Sequence, residues 1–299
     1  MNISIAMATY NGAKYLKEQL DSIAAQTKMP MELVICDDAS TDETVNIIKA
    51  HALAPIIKLV INTVNQGVVA SFKKAASLCH SDNYIAFCDQ DDIWHTNKLE
   101  ENLNAILNFP TDKFPVLVYS DAVFIDASKN TINQSFMNEM GIDKYQHTYQ
   151  TVLFGSLMLG CSIMINPTMR NYLLEMPELI IFNHDAWMSL IAFSFGACNL
   201  IDKPLLDYRK HEKNTTIANF KKNSRLNRIA VQLKAVFIDK QYLQYEIELA
   251  KNILRQFETE FSQIKLRQIK KFIELEHKPY FIKKLYFELI FFKYWKNRF

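Results

Sequence analysis

Residues 84–94 read Tyr84-Ile85-Ala86-Phe87-Cys88-Asp89-Gln90-Asp91-Asp92-Ile93-Trp94. The run Tyr84–Cys88 is short, apolar and partly aromatic, the composition of a buried strand. Three carboxylates, Asp89, Asp91 and Asp92, follow at once. Acids crowded at the carboxyl end of a strand repel one another unless a positive charge sits among them. A divalent cation meets that need, because hard cations take oxygen ligands and bind through one or two carboxylates together with substrate phosphates. The stretch therefore predicts a buried strand that ends in a metal–diphosphate site.

Towards the N-terminus, short apolar runs alternate with helical patterns. Strands are expected at 3–8, 32–36 and 56–61. Between them lie helices at 14–26, with Leu16, Leu20, Ile23 and Ala24 at helical spacing, and at 41–50, with Ser40 or Thr41 as N-cap. A third helix, 67–78, turns Val68, Phe72, Ala75 and Ala76 inward. This alternation predicts a parallel sheet covered on both faces. Ligands of such sheets bind beyond the carboxyl ends of the strands. Polar residues gather at those ends: Thr9-Tyr10-Asn11-Gly12, Asp37-Asp38, Asn65-Gln66-Gly67 and Asp89-Gln90-Asp91-Asp92.

Beyond Trp94 the pattern gives a helix at 97–108 and a strand at 116–120, after which Asp121 faces the same edge as an acceptor-binding candidate. Residues 126–150 are polar and aperiodic, which predicts a functional flap or a mobile loop. A strand at 162–166 is closed by Pro167, a helix covers 186–195 with Asp185 near its start, and short strands follow at 198–201 and 205–208. From about Asn219 the chain turns helical, basic and aromatic.

The 299 residues are 49% hydrophobic and 22% charged, as in ordinary globular proteins. A net charge of +2 hides an asymmetry: residues 1–220 hold 16 Lys and Arg against 24 Asp and Glu, and residues 221–299 hold 18 against 8. A basic tail implies an anionic partner, a membrane surface or a nucleic acid. No nucleic-acid reading motif is present, which leaves the membrane as the expected partner. The five cysteines have no paired spacing and read as buried free thiols of a reducing cytoplasm. The N-terminus lacks a basic segment followed by a long apolar one, so no signal peptide is expected. The least polar run, 186–201, is too short to span a bilayer, so any membrane contact is expected to be peripheral.

Six pieces of the chain together resemble the family 2 glycosyltransferases, which have the GT-A fold. They are Ala8-Thr9-Tyr10-Asn11-Gly12, the run Val34 through Asp37-Asp38-Ala39-Ser40-Thr41-Asp42-Glu43-Thr44, Asn65-Gln66-Gly67, Phe87 through Asp92-Ile93-Trp94, His184-Asp185-Ala186-Trp187, and Tyr208-Arg209-Lys210-His211-Glu212-Lys213-Asn214. Each piece alone is weak, but six in order over residues 1–216 are specific. The resemblance implies an α/β, Rossmann-like GT-A domain with a mixed, mostly parallel sheet flanked by helices. Residues 1–101 would be its nucleotide-sugar half and 102–216 its acceptor half, with 217–299 a helical basic extension. That extension either docks on a membrane or packs on the catalytic domain.

The resemblance also implies roles. Asp91 would ligate Mg²⁺ or Mn²⁺, Asp89 would contact the metal or the ribose, and His211 would be a further ligand. Asp92 is an extra acid that suits an N-cap of the next helix. Asp38 would hydrogen-bond a pyrimidine base, Tyr10 would pack on it or be an ordinary packed tyrosine, and Thr9 would supply the hydroxyl contact that Ala8 lacks. Arg209 would steady the diphosphate, with Lys210 either helping or merely exposed. Asp185 would be the catalytic base, although an Asp at a helix start is also a good cap. His184 beside it would orient the acceptor. The implied activity is inverting transfer of one sugar from dTDP-rhamnose or a UDP-hexose to a lipid-linked surface glycan, O-antigen or capsule, at the cytoplasmic membrane face. The Gln-x-x-Arg-Trp motif of processive relatives is absent, so single transfers are expected. Two other classes compete. A nucleotidyltransferase would need a Gly-rich loop after the first strand, where only Gly12 stands. A catalytically silent nucleotide-sugar-binding subunit would bind without turnover.

Overall fold

The computed structural model describes residues 1–156, 158–177, 183–211 and 242–295. The chain divides into two compact units, Met1–Met140 with Met158–Arg209, and Gly141–Leu157 with Lys210–Phe299.

The first unit begins β1 (Ile3–Thr9), α1 (Leu16–Ala24), β2 (Glu32–Asp37), α2 (Thr44–Ala50), β3 (Ile57–Ile61), α3 (Val68–Leu78) and β4 (Tyr84–Cys88). Strands β3, β2, β1 and β4 lie side by side in that order, all parallel. Every residue of β1 and β4 is buried, as strands covered on both faces must be. The covering comes from α1 through Leu16, Leu20 and Ile23, and from α3 through Phe72, Ala75 and Ala76. Helix α2 starts at Thr44 rather than 41, and neither Ser40 nor Thr41 caps it. The amides of Ser40 and Thr41 are drawn to Asp37 and Asn11, and Asp42 takes the Thr44 amide instead.

The unit continues with β5 (Ile93–Trp94), α4 (Lys98–Ile106), β6 (Val116–Ile125), β7 (Thr131–Asn133) and α5 (Phe136–Met140). After the excursion at 141–157 it resumes with β8 (Met164–Ile165), α7 (Pro167–Leu174), α8 (His184–Phe195) and β9 (Ala197–Arg209). The sheet runs on from β4 through β8, β6 and β9 to β5. Direction changes at β8, which is antiparallel to both β4 and β6, while β6 and β9 are parallel. The result is a mixed, mostly parallel sheet flanked by helices.

Two local expectations change. The separate strands at 198–201 and 205–208 are one 13-residue strand, β9, whose register against β6 shifts around Asp121. Bulges of this kind accommodate Pro204 without ending the strand. Residues 126–150 do not form a single irregular flap. Asp126 accepts from the amides of Ser128 and Asn130, closing the turn into β7, and Asp121 accepts from Ser135 and the Met137 amide, which seats α5. Asp121 is thus engaged in seating α5.

The second unit contains α6 (Tyr149–Val152), α9 (Gln244–Phe257), α10 (Gln263–Ile273) and α11 (Tyr280–Lys293). The segment 141–157 supplies part of its core. Phe154 meets Phe272, Phe287 and Phe291 at centroid distances of 5.2, 5.3 and 5.8 Å. Tyr145 packs edge-on against Phe291 at 4.8 Å, and the Gln146 amide donates to the Tyr294 carbonyl at 2.8 Å. Among the described residues, no helix is long and apolar enough to cross a membrane.

Candidate active site

The loops after β1, β2, β3 and β4 are laced into one platform. The Thr9 hydroxyl donates to Asp37 at 2.8 Å, and the Ser40 hydroxyl donates to the same carboxylate at 2.6 Å. The Asn11 amide donates to Ser40 Oγ at 2.9 Å, and the Gly12 amide to Thr44 Oγ1 at 2.8 Å. Asp38, fully enclosed, accepts from the Gln66 and Gly67 amides and from Asn62 Nδ2, each at 2.8 Å. Gly67 adopts a φ of 90°, a conformation open to glycine and strained for side-chain-bearing residues. Gln90 closes the set, accepting from the Tyr10 amide at 2.9 Å and donating to the Tyr10 carbonyl at 3.1 Å. A Cβ at position 12 would lie 2.1 Å from Gln90 Oε1, so the latch requires Gly12. Thr9 and Asp38 therefore hold loops together, while the Tyr10 ring stays 47% exposed above them.

Below this platform lies the acidic cluster. Ligand atoms of Asp89, Asp92 and Cys161 all fall within 4.8 Å of one another. Cys161 arrives on a 3₁₀ turn, Gly160–Ser162, ahead of β8. Asp91 is not one of the three, yet its charge is close enough to act on both neighbours. Burial first, and then Asp91, push the Asp89 carboxyl up to about 7, and the same causes raise Asp92 well above the carboxylate range. Asp92 is not a helix cap. The N-cap position of α4 is Asn97, whereas Asp92 is buried and accepts the Arg209 amide at 3.2 Å. Its Oδ2 has no N–H or O–H donor among the described residues.

Two cations support the cluster from within the fold. Lys98, on the inner face of α4, is wholly buried, donates to the Ser162 carbonyl at 3.3 Å and lies 5.0 Å over the Trp94 ring. Burial lowers its pKa to about 8, with Cys161, Cys88 and Asp92 opposing that fall. The sequence reading missed Lys98, since an inward lysine at the start of an amphipathic helix looks like any other polar first-turn residue. Arg209 is a correction. Its side chain is 1% exposed, so it does not offer a guanidinium to a diphosphate. It donates to Glu18 at 2.6 Å and to the Asp91 carbonyl at 2.9 Å, and stacks 4.6 Å from the Tyr15 ring. It fixes the backbone of the acidic loop from behind.

Asp185 opens onto the same place. It sits in the first turn of α8, is partly exposed, and is not the cap, a position held by Asn183. Its charge is among those that raise Asp89, which puts the two carboxyls in one field. A Cβ on Gly160 would come within 2.9 Å of His184 Nε2 and 3.9 Å of Asp185 Cβ. The start of α8 thus abuts the turn that carries Cys161. His184 is buried with its ring 4.5 Å from Phe72 and 5.3 Å from Phe87, and neither ring nitrogen has a hydrogen-bond partner among the described residues. Burial lowers its pKa to about 4, so the ring is neutral near pH 7. Trp187 Nε1 donates to the Tyr172 carbonyl at 2.9 Å and bolts α8 to α7. His211 and Lys210 belong to the second unit, and residues 212–241, including the end of the last motif, lie outside the described residues.

The donor set fits a hard divalent cation at the carboxylates. Crowded carboxyls whose pKa values are raised by burial and by one another are unfavourable when ionised alone, and a cation would relieve them. The Cys161 thiol is pushed well above its ordinary pKa by burial and by Asp92 and Asp89, so it is a protonated neighbour and a poor ligand for such an ion.

Comparisons with known proteins bear on the family and the fold. The family model described as "Glycosyl transferase family 2" matches residues 4–161. The chain is 30% identical over 241 residues to the dTDP-rhamnosyl transferase RfbG of Shigella flexneri, covering 75% of this chain and 78% of that protein. It is 40% identical over 95 residues to the uncharacterized protein Rv1520 of Mycobacterium tuberculosis, covering 31% of this chain and only 27% of that one. Among solved structures, S. aureus TarS 1-349 in complex with UDP-GlcNAc superposes with a TM-score of 0.56 at 17% identity, over 91% of this chain and 79% of that one. At that identity the likeness concerns the fold alone.

Proposed function

Because the chain belongs to glycosyl transferase family 2, we propose that it moves one sugar from a nucleoside-diphosphate sugar to an acceptor hydroxyl, with inversion at the anomeric carbon. The observation that carries this reading is the meeting of Asp185 with the Asp89–Asp92 cluster at the carboxyl edge of the sheet. Asp185, partly exposed, is set at a helix start. Asp89 and Asp92 crowd together beside it, where a cation would relieve their mutual repulsion. Inverting transfer needs that division, a base for the acceptor proton on one side and charge neutralisation for the leaving diphosphate on the other.

A bound Mg²⁺ or Mn²⁺ would be held by Asp91 and Asp89 and would supply Lewis acidity toward the diphosphate. Asp185 takes the proton from the acceptor hydroxyl as that oxygen attacks. Tyr10, exposed on the platform, is the surface on which the base packs. Asp38 fixes the floor beneath, and its role toward a pyrimidine base rests on the Asp37-Asp38-Ala39-Ser40-Thr41 wording alone. Thr9 supports that floor through Asp37. The ligand role of His211 rests on the Tyr208-Arg209-Lys210-His211 wording alone.

The match to RfbG favours dTDP-rhamnose as donor, with UDP-hexoses next. The acceptor is a lipid-linked surface glycan of the O-antigen type, met at the cytoplasmic face of the membrane. A thermal-shift screen of nucleotide-sugars with Mn²⁺, followed by transfer assays with the stabilising donor, tests the reading. Donor-specific stabilisation with turnover is expected. Stabilisation without turnover on any glycolipid acceptor would favour the silent binding subunit. If Asp91→Ala leaves metal-dependent nucleotide binding intact, the ligand assignment is wrong.

A further inference from the structure

Helix α11 reads Tyr280-Phe281-Ile282-Lys283-Lys284-Leu285-Tyr286-Phe287-Glu288-Leu289-Ile290-Phe291-Phe292-Lys293 and is apolar nearly all round. One face is accounted for within its own unit. Lys283 and Phe291 are buried, and Phe287 stacks on Phe291 at 4.3 Å and meets Phe154 at 5.3 Å. The opposite face is open. Phe281, Leu285, Leu289 and Phe292 are 62, 55, 57 and 54% exposed. Steps of four, four and three residues bring them into one stripe along the helix. Scattered exposed hydrophobes are ordinary, but a contiguous stripe of this size marks an interaction surface.

The flanks of the stripe are cationic. Lys284 and Lys293 lie on the helix itself, and Lys271 reaches the Tyr286 ring at 5.9 Å from α10. The acid on the helix, Glu288, is paired with Lys284 at 2.7 Å, so that pair is neutral and Lys271 and Lys293 carry the charge. Residues 221–299 as a whole hold 18 Lys and Arg against 8 Asp and Glu. A second copy docked face to face would set these cations against themselves, whereas an anionic lipid surface complements them. Fourteen residues of helix are about 21 Å long, short of the ~30 Å hydrocarbon core, so the helix can lie in the interface but not cross it.

We propose that the outer face of α11 lies on an anionic membrane surface. Phe281, Leu285, Leu289 and Phe292 enter the boundary between headgroups and acyl chains, and Lys271 and Lys293 meet lipid phosphates. The proposal deepens the reading of a membrane-borne acceptor and rests on it for its biological sense, while its physical basis is independent of sugar chemistry. The test is flotation of the full chain with phosphatidylglycerol–phosphatidylcholine vesicles and with phosphatidylcholine alone, using wild type and the double variant Leu285→Glu, Leu289→Glu. Both positions are exposed, so the melting temperature should not change. The wild type should float with the anionic vesicles, and the variant's partitioning should fall by more than about tenfold. Donor-induced thermal shift, measured alongside, should be equal in both proteins, so a failure of docking is separable from a failure of the transferase reading. Absence of flotation, or equal flotation of the variant, overturns the proposal. So does a lipid-free dimer that the variant dissolves, which would assign the stripe to a second copy.

Discussion

Asp185→Asn should lower turnover by about 10²–10⁴-fold, the usual worth of a positioned base. Circular dichroism and donor-induced thermal shift should stay unchanged, and near-normal turnover would remove Asp185 from the chemistry. Its neighbour makes a different prediction. His184 has its pKa lowered to about 4 by burial, so its neutral form is the one the fold favours. For a base shifted down, the stabilisation is complete above the unfolded value near 6.5 and is lost as pH falls through the folded value. A gap of roughly 2.5 units corresponds to about 3 kcal/mol at the acid end. Urea unfolding at pH 7.5 and 4.5 should therefore show His184→Phe losing clearly less stability over that interval than wild type. Equal losses would mean the ring is not buried in its neutral form. The motif wording singles out Asp185, but the inward turn of His184 between two phenylalanines was not readable, because polar residues at a helix start normally face water.

At the scale of elements, Gln90 and Gly12 make the sharpest test. Gly12→Ala evicts the Gln90 amide from Tyr10 and so should cost about what Gln90→Ala costs, roughly 1–2 kcal/mol. Because both changes break the same latch, the double variant should be no worse than either single one. Additive losses in thermal unfolding would show that the two residues act separately. The parallel strands were readable because burial on both faces leaves a continuous apolar signal, as in β1 and β4. Strand β9 was read as two, because Asp202-Lys203-Pro204 has the composition of a break, and only pairing with β6 shows it to be a bulge. Asp92 and Arg209 were misread for a related reason. Charged residues at strand ends look solvent-facing until the fold encloses them.

For the whole molecule, the enclosed acids set a pH dependence. Asp89 and Asp92 have raised pKa values, so the folded state disfavours their ionised forms. Stability without metal should be fully present below pH 4 as far as these groups are concerned, and the Asp89 contribution should be lost as pH rises through about 7. A divalent cation needs them ionised, so its stabilisation should grow over the same interval. Melting curves in EDTA and in Mn²⁺ should diverge more at pH 8 than at pH 5.5, and parallel curves would argue against a metal at the cluster. The second unit was only partly readable. Its basic helices were plain in the composition, but 126–150 read as a polar flap or mobile loop, although Tyr145 within it packs with Phe154 against Phe291 of this unit. That threading has an architectural consequence. The chain leaves the catalytic unit after Met140, re-enters at Met158 and leaves again after Arg209, so the two units are joined by three covalent crossings. No single cut releases the helical unit as a module. A stop near residue 210 would strip the partners from Phe154 and Tyr145, leaving an adhesive loop in the middle of the enzyme. Such a truncation should aggregate, and the two units are expected to have been inherited together.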